Sequence, residues 1–332
     1  MARVTVIMPA YNVAPYIEEA VESVLRQSFS DFELLIIDDG SSDGTHEVIS
    51  RMSDSRIRKV RNESNIGLAA TLNKGLSMAQ TEYIARFDGD DLASPQWLEK
   101  NVGFLDSHPD YGICSSGFEW FGTRKGTVRY PERHADSMCQ MLFGCTVIVP
   151  VMRLSVIESS GLRYRPSAFP AEDYDLWASC YRVTKVYNLQ QTLFRYRMHT
   201  SQISTALAES QIVKSNEVRL RMLEWLNPDI GEEDRQYFVD RFAPGRIESE
   251  SDVSAMRQFA ERLVGYNEAG HYDADALARR LRHHIRAAVY AYSVREYSMR
   301  NFARTLLSGR IKYFTPRQAV RTMAKSILHR QA

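Results

Sequence analysis

The chain has 332 residues, 44% hydrophobic and 25% charged, the balance of an ordinary globular protein with room for one large domain or two modest ones. A net charge of +1 gives no global attraction for nucleic acid, and no stretch approaches the roughly 20 apolar residues of a membrane span. Cys114, Cys139, Cys145 and Cys180 lack CxxC or other zinc spacing and read as free thiols in a reducing compartment. The first residues run straight into a strand, without a secretory leader, so a cytoplasmic location is expected.

Val4–Met8 is a short β-rich run closed by Pro9. Ile17, Ala20, Val21, Val24 and Leu25 then recur at helical spacing. Phe32–Ile37 predicts a second strand, which ends abruptly in Asp38-Asp39-Gly40-Ser41-Ser42-Asp43. A helix over Thr45–Met52, a strand over Ile57–Val60, a turn at Asn65-Ile66-Gly67, a helix through Leu72, Leu76 and Ala79, and a strand over Tyr83–Phe87 follow. Such alternation predicts an α/β fold whose mainly parallel sheet carries helices on both faces. Ligands bind such sheets beyond the carboxyl ends of the strands. Tyr11, Asp39 and Asp88–Asp91 each follow a predicted strand, so one rim should collect them.

Next come a helix over Gln96–Ser107, strand-like stretches at Tyr111–Ser115 and Cys145–Val151, a helical pattern around Leu176 and Trp177, and the segment Val186–His199. Near residue 205 the character changes. Residues 206–332 form a helical extension, with helices expected over Ser210–Leu226, Val253–Tyr266, Ala274–Tyr297 and 315–329, the last capped by Thr315 with Pro316 in its first turn. From Thr305 onward there is no Asp or Glu, while Arg310, Lys312, Arg317, Arg321, Lys325 and Arg330 accumulate.

Asp88-Gly89-Asp90-Asp91 poses a physical question, because three carboxylates crowd into four positions. Acidic turns often serve as solvated surface or helix caps. At a strand end, a hard divalent cation such as Mg²⁺ or Mn²⁺ would offset the repulsion, with further ligands from a diphosphate.

The runs Val6-Ile7-Met8-Pro9-Ala10-Tyr11-Asn12, Ile37-Asp38-Asp39-Gly40-Ser41-Ser42-Asp43, Asn65-Ile66-Gly67, Asp88-Gly89-Asp90-Asp91 and Ala171-Glu172-Asp173-Tyr174-Asp175-Leu176-Trp177 occur in that order. Together they resemble the family 2 glycosyltransferases, inverting nucleotide-sugar-dependent enzymes of GT-A fold, over residues 1–205. The resemblance implies a nucleotide-binding half over 1–110 and an acceptor and catalytic-base half over 111–205. It implies that Tyr11 stacks on uracil with Pro9 on the same wall, that Asp39 accepts the uracil N3–H, that Asp88 faces the ribose and that Asp90 binds the metal. Asp91 then holds the loop or supports the metal ligands. Arg86 either meets the diphosphate or forms a structural ion pair. Some family members place an arginine near the position of Gly67, but Leu68-Ala69-Ala70-Thr71 follows here, so the diphosphate clamp on that side is unassigned.

Inverting transfer needs a base opposite the leaving diphosphate. By resemblance this is Asp173, which could equally be a first-turn helix carboxylate; Glu172 and Asp175 are weaker candidates. Tyr196-Arg197-Met198-His199 resembles a family element whose histidine approaches the metal or diphosphate. Arg197 suits a phosphate contact or a strand-edge salt bridge.

The resemblance thus implies a UDP-sugar donor, a saccharide or lipid-diphosphate-linked saccharide acceptor, Mn²⁺ or Mg²⁺ as cofactor, and work in bacterial surface polysaccharide synthesis. A nucleotidyltransferase would want a basic Gly-rich loop near the first strand, which is absent; a catalytically inactive nucleotide-sugar-binding protein would not need Asp90, Asp173 and His199 together. The C-terminal helices could shape the acceptor site, pair with another copy as a homo-oligomer, or rest on a membrane through Arg317, Arg321 and Lys325 beside Val320, Met323, Ile327 and Leu328.

Overall fold

The computed structural model describes residues 2–199, 207–295 and 299–328. Parallel pairing organises its first half. Strand β1 (Val4–Ala10) lies between β2 (Phe32–Asp38) and β4 (Tyr83–Arg86), and β3 (Ile57–Arg61) pairs with β2; all three ladders are parallel. Helices α1 (Ile17–Leu25), α2 (Thr45–Arg51) and α3 (Leu68–Met78) make the crossovers.

Every residue of β1 is buried, as a strand covered on both faces requires. Val4, Val6 and Met8 join Ile17, Val21 and Val24 of α1, and Trp97, Leu98 and Leu105 of α4 (Trp97–Ser107), in one core. On the opposite face α3 approaches so closely that a β-carbon on Gly75 would lie 2.4 Å from Ile7 Cγ2.

The second half is mixed. β4 pairs antiparallel with β8 (Val151–Arg153), and β8 with β6 (Tyr111–Gly122). β6 then runs parallel to β9 (Lys185–Met198), whose other edge takes the two-residue β5 (Leu92–Ala93), while β7 (Gly126–Val128) folds back on β6. The order is β3-β2-β1-β4-β8-β6-β9-β5, with β7 beside β6. Helices α5 (His134–Gln140), α6 (Leu154–Ser159) and α7 (Glu172–Cys180) complete this part. The fold is therefore the expected α/β class, with antiparallel β5, β7 and β8 added to the parallel ladders.

Two predicted elements differ. The sequence predicts a strand over Cys145–Val151, but only Val151 of that run is strand. Val149 sits at φ +46° and Pro150 has no N–H to pair. The Ser115 side chain takes the partner's place, donating to the Ile148 carbonyl at 2.6 Å and accepting from its amide at 3.2 Å. The helix predicted over Ala274–Tyr297 stops at Ser293. Tyr297 and residue 329 lie outside the described residues.

The chain divides into two compact units, Met1–Val218 and Arg219–Ala332, and helix α8 (Ala208–Leu226) crosses the division. The second unit holds α9 (Glu232–Tyr237), which continues into a π-turn at Phe238–Phe242, then α10 (Glu250–Tyr266), α11 (Ala274–Ser293), α12 (Met299–Leu307) and α13 (Pro316–Leu328). Phe238, Phe242 and Phe259 are fully buried at its centre, with the Phe242 and Phe259 rings 4.9 Å apart. Each such burial contributes about 1.5–3 kcal/mol. His284 Nε2 donates to the Phe242 carbonyl at 2.6 Å, and burial pushes its pKa down to about 4, so it packs as a neutral ring. Thr315 and Gln318 cap α13 reciprocally: Thr315 Oγ1 accepts from the Gln318 amide at 3.2 Å and Gln318 Oε1 from the Thr315 amide at 2.8 Å. Among the described residues no helix is long and apolar enough to cross a membrane.

Candidate active site

Because β1, β2 and β4 are parallel, the chain leaves all three at one edge of the sheet, and Tyr11, Asp39 and Asp88 follow there. Backbone bonds stitch this rim: the Asp39 amide donates to the Ala10 carbonyl at 2.8 Å, and the Phe87 amide to the Ile7 carbonyl at 3.0 Å. Asn12, at φ +52°, turns the chain away and accepts from the Ser42 amide at 3.0 Å. Tyr11 is 46% exposed, so its ring is presented to solvent instead of packing in the core. Pro9 is buried within β1.

Asp39 is buried and organises the loop before α3. Its Oδ1 accepts from Asn62 Nδ2 at 2.7 Å and the Ile66 amide at 3.0 Å; its Oδ2 accepts from the Gly67 amide at 3.0 Å. Gly67 sits at φ +88°, a backbone state that a side chain would strain, and it starts α3. A carboxylate has about four acceptor positions. Asp39 therefore serves as a loop clamp and keeps capacity for one more N–H.

The acidic stretch answers its own question through Arg86 and Asp91. Arg86 is buried, and its Nη1 donates to Asp88 Oδ2 at 2.7 Å while its Nη2 lies 3.1 Å from Asp173 Oδ2. Burial disfavours the guanidinium charge, but Asp173 and then Asp88 outweigh it and raise its pKa further above the usual arginine value. Asp88 is pushed up to about 6, chiefly by burial, against the pull of Arg86. Asp91 is 1% exposed; burial, then repulsion from Asp90 and Asp88, lifts its carboxyl well above the usual range. Arg86 thus offsets Asp88 directly, while burial raises the proton affinity of Asp91.

Asp91 Oδ1 accepts from the Arg197 amide at 2.7 Å, and Arg197 Nε donates to the Asp90 carbonyl at 2.7 Å. The Arg197 guanidinium reaches on to Glu19 at 2.6 Å and lies over the Tyr16 and Phe121 rings. β9 is thereby locked to the acidic loop. This delivers His199, whose Nε2 lies 3.1 Å from Asp90 Oδ2 and whose ring packs against Tyr16 at a 35° tilt with centroids 4.7 Å apart. The pair is hydrogen-bonded as it stands; two cis ligands of an octahedral ion at about 2.1 Å are separated by about 3.0 Å, so the same nitrogen and oxygen could also hold a divalent cation. Among the described residues no set of three His, Cys, Asp or Glu side chains is arranged to hold a metal.

Glu172 and Asp173 open α7, whose N-terminal dipole favours carboxylates. Asp173 Oδ1 is buried without a hydrogen-bond partner, as are Glu172 Oε2, Arg86 Nε, Tyr164 Oη and Trp177 Nε1. Burial raises the Asp173 pKa, with Arg86 opposing. Asp175 points elsewhere: it is buried and held by both Arg165 Nε, at 2.8 Å, and Arg165 Nη2.

Residues 5–155 match the family described as glycosyl transferase family 2. A protein named as a glycosyltransferase, EpsE of Bacillus subtilis (strain 168), is 36% identical over 203 residues, covering 59% of this chain and 73% of its own. The chain belongs to the family 2 glycosyltransferases. TuaG of the same organism, named for teichuronic acid biosynthesis, is 32% identical over 215 residues, covering 61% of this chain and 81% of its own. The crystal structure of S. aureus TarS 1-349 in complex with UDP-GlcNAc shares the fold, with a TM-score of 0.61 at 18% identity, over 86% of this chain and 91% of that one.

In this family 2 glycosyltransferase several site neighbours escape sequence reasoning. Asn62 holds Asp39, Tyr16 packs against His199, Glu19 pairs with Arg197, and Tyr164 lies near Asp173, where the two anions would repel. None has a local motif. Glu172 yields a stability test: it is 5% exposed, and burial, then Asp173, push its pKa up to about 7. A carboxyl whose folded-state pKa is raised favours the folded state when protonated, so its contribution falls as pH rises from the unfolded value, about 4.3, towards 7. Glu172→Gln is expected to reduce the loss of stability between pH 5 and pH 8 by on the order of 2–3 kcal/mol. Denaturation curves at both pH values should show this loss in the parent and not in the variant; equal losses in the two would reject it.

Proposed function

We propose that this glycosyltransferase moves a sugar from a UDP-sugar to a saccharide or lipid-diphosphate-linked saccharide, with inversion, in bacterial surface polysaccharide synthesis. The observation that carries the reading is the shared guanidinium: Arg86 joins Asp88, on the donor rim, to Asp173, at the start of α7. A donor-facing carboxylate and a base candidate are thus held within one side chain's span.

In this reading the exposed Tyr11 ring stacks on uracil along a wall shared with Pro9, and the spare acceptor position of Asp39 takes the uracil N3–H. Asp88 faces the ribose. Asp90 and His199 hold the cation, and an imidazole in the set favours Mn²⁺ over Mg²⁺. Once bound, the metal stabilises charge on the leaving diphosphate. Asp173 removes the acceptor hydroxyl proton as that oxygen bonds to the anomeric carbon and the bond to UDP breaks, its electron pair leaving with the diphosphate. Burial, which raises the Asp173 pKa, makes it a better proton acceptor at neutral pH. Arg86 keeps the base oriented, and Arg197, which ties β9 to the acidic loop, stands beside the donor's phosphates. The relative named for teichuronic acid biosynthesis supports a polysaccharide product.

A panel of nucleotide-sugars with Mn²⁺, scored for slow UDP release without acceptor, tests the reaction class and identifies the donor. Release from one UDP-sugar, abolished by Asp90→Ala together with Mn²⁺-linked UDP affinity, is the expected outcome. Full Mn²⁺-linked affinity in Asp90→Ala would reject that ligand, and release from no UDP-sugar would reject the donor class.

A further inference from the structure

In α12 and α13 the usual orientation of amphipathic helices is reversed. Residues three and four apart share a helix face. In α13 the inward face is small and polar, with Thr322 and Ser326 buried, while Val320 and Met323 stand 69% and 48% exposed. In α12 Thr305 is buried, whereas Leu306 and Leu307 are 47% and 88% exposed. A globular helix buries its apolar stripe; among the described side chains these two helices turn Leu306, Leu307, Val320 and Met323 outward.

The charge carried by α12 and α13 themselves has one sign, although Glu250 of α10 lines a pocket with Arg304 and Leu307. Arg300 and Arg304 line one edge of the exposed stripe on α12, and Arg317 and Arg321 the corresponding edge on α13, all four exposed. Residues 297–332 contain eight Lys and Arg and no Asp or Glu. Arg310 is buried and pairs with Glu250 at 3.0 Å. Exposed leucine, valine and methionine edged by arginine match the interface of an anionic bilayer, where apolar side chains enter the acyl boundary and cations meet phosphate. A symmetric contact with a second copy would set these arginines against themselves.

We propose that α12 and α13 seat the protein on an anionic lipid surface, through Leu306, Leu307, Val320 and Met323 with Arg300, Arg304, Arg317 and Arg321. The inference is independent of the reaction assigned above. The test is sedimentation of the full chain with phosphatidylcholine vesicles, with and without about one-third phosphatidylglycerol. Binding is expected to the anionic vesicles and to weaken in high salt. Arg317→Gln with Arg321→Gln is expected to weaken it about 25-fold, about fivefold per arginine at low ionic strength. Leu307→Glu with Val320→Glu is expected to weaken it at least about tenfold. Since all four positions are exposed, UDP release in solution should be unchanged and serves as the folding control. Three results would overturn the proposal: no binding to either vesicle, binding that neither double variant alters, or a chain that ignores vesicles and forms dimers broken by Leu307→Glu with Val320→Glu, which would assign the face to a second copy.

Discussion

Asp173→Asn is expected to lower transfer by about 10²- to 10⁴-fold while leaving UDP affinity within about twofold. Asparagine keeps the shape, and its carbonyl oxygen can still accept from Arg86, which lies 3.1 Å from Asp173 Oδ2. It cannot take the acceptor proton. The parent's rate should fall as pH drops through the Asp173 pKa, which burial holds above the usual aspartate value; the variant's residual rate should lack that limb. Turnover assays paired with UDP calorimetry separate the two effects. Unchanged turnover would reassign the base, and lost UDP binding would show a role in donor binding instead.

Arg86→Met is expected to destabilise the fold by about 3–5 kcal/mol, the cost of stranding charges whose partner is gone. The Arg86 side chain is 8% exposed, and those of Asp88 and Asp173 are 22% and 30% exposed, so the lower end of that range applies. Arg86→Lys retains the charge but loses the planar fork that spans both carboxylates, so most of the loss should remain. Combining Arg86→Met with Asp88→Asn and Asp173→Asn should recover part of it, because neutral amides no longer need the cation. Denaturant midpoints across this cycle measure the coupling. A midpoint for Arg86→Met equal to the parent's would mean that the bridge contributes nothing.

The parallel half of the fold was legible because its signals are local. β1, β2 and β4 are apolar runs ended by proline or acidic turns, and the alternation with helices orders their carboxyl ends. Cys145–Val151 misleads because its apolar content resembles a strand, while its conformation depends on Pro150 and on the side chain of Ser115, far away in sequence. The acidic loop shows the same division. Three carboxylates within four positions can be seen in the sequence, as can Arg86 two positions before the first; that the same guanidinium also reaches Asp173, 87 positions on, and that Asp91 is buried beneath the Arg197 amide cannot. Long-range pairing of that kind has no spacing to read. His199 was accessible only through its Tyr-Arg-x-His setting, and Tyr16, which packs against it, follows no motif at all.

The α12 and α13 pattern illustrates the converse. Periodicity reveals that a helix is amphipathic, yet not which stripe faces the protein. Burial of Thr322 and Ser326, set against exposure of Val320 and Met323, supplies that direction.

Crystals soaked with UDP and Mn²⁺, measured at the manganese absorption edge, put the central idea to its sharpest trial. The anomalous peak should lie between Asp90 and His199 Nε2, with the diphosphate on its far side and the Asp173 carboxylate still on Arg86. A peak elsewhere, with the 3.1 Å contact between Asp90 and His199 undisturbed beside bound UDP, would contradict it.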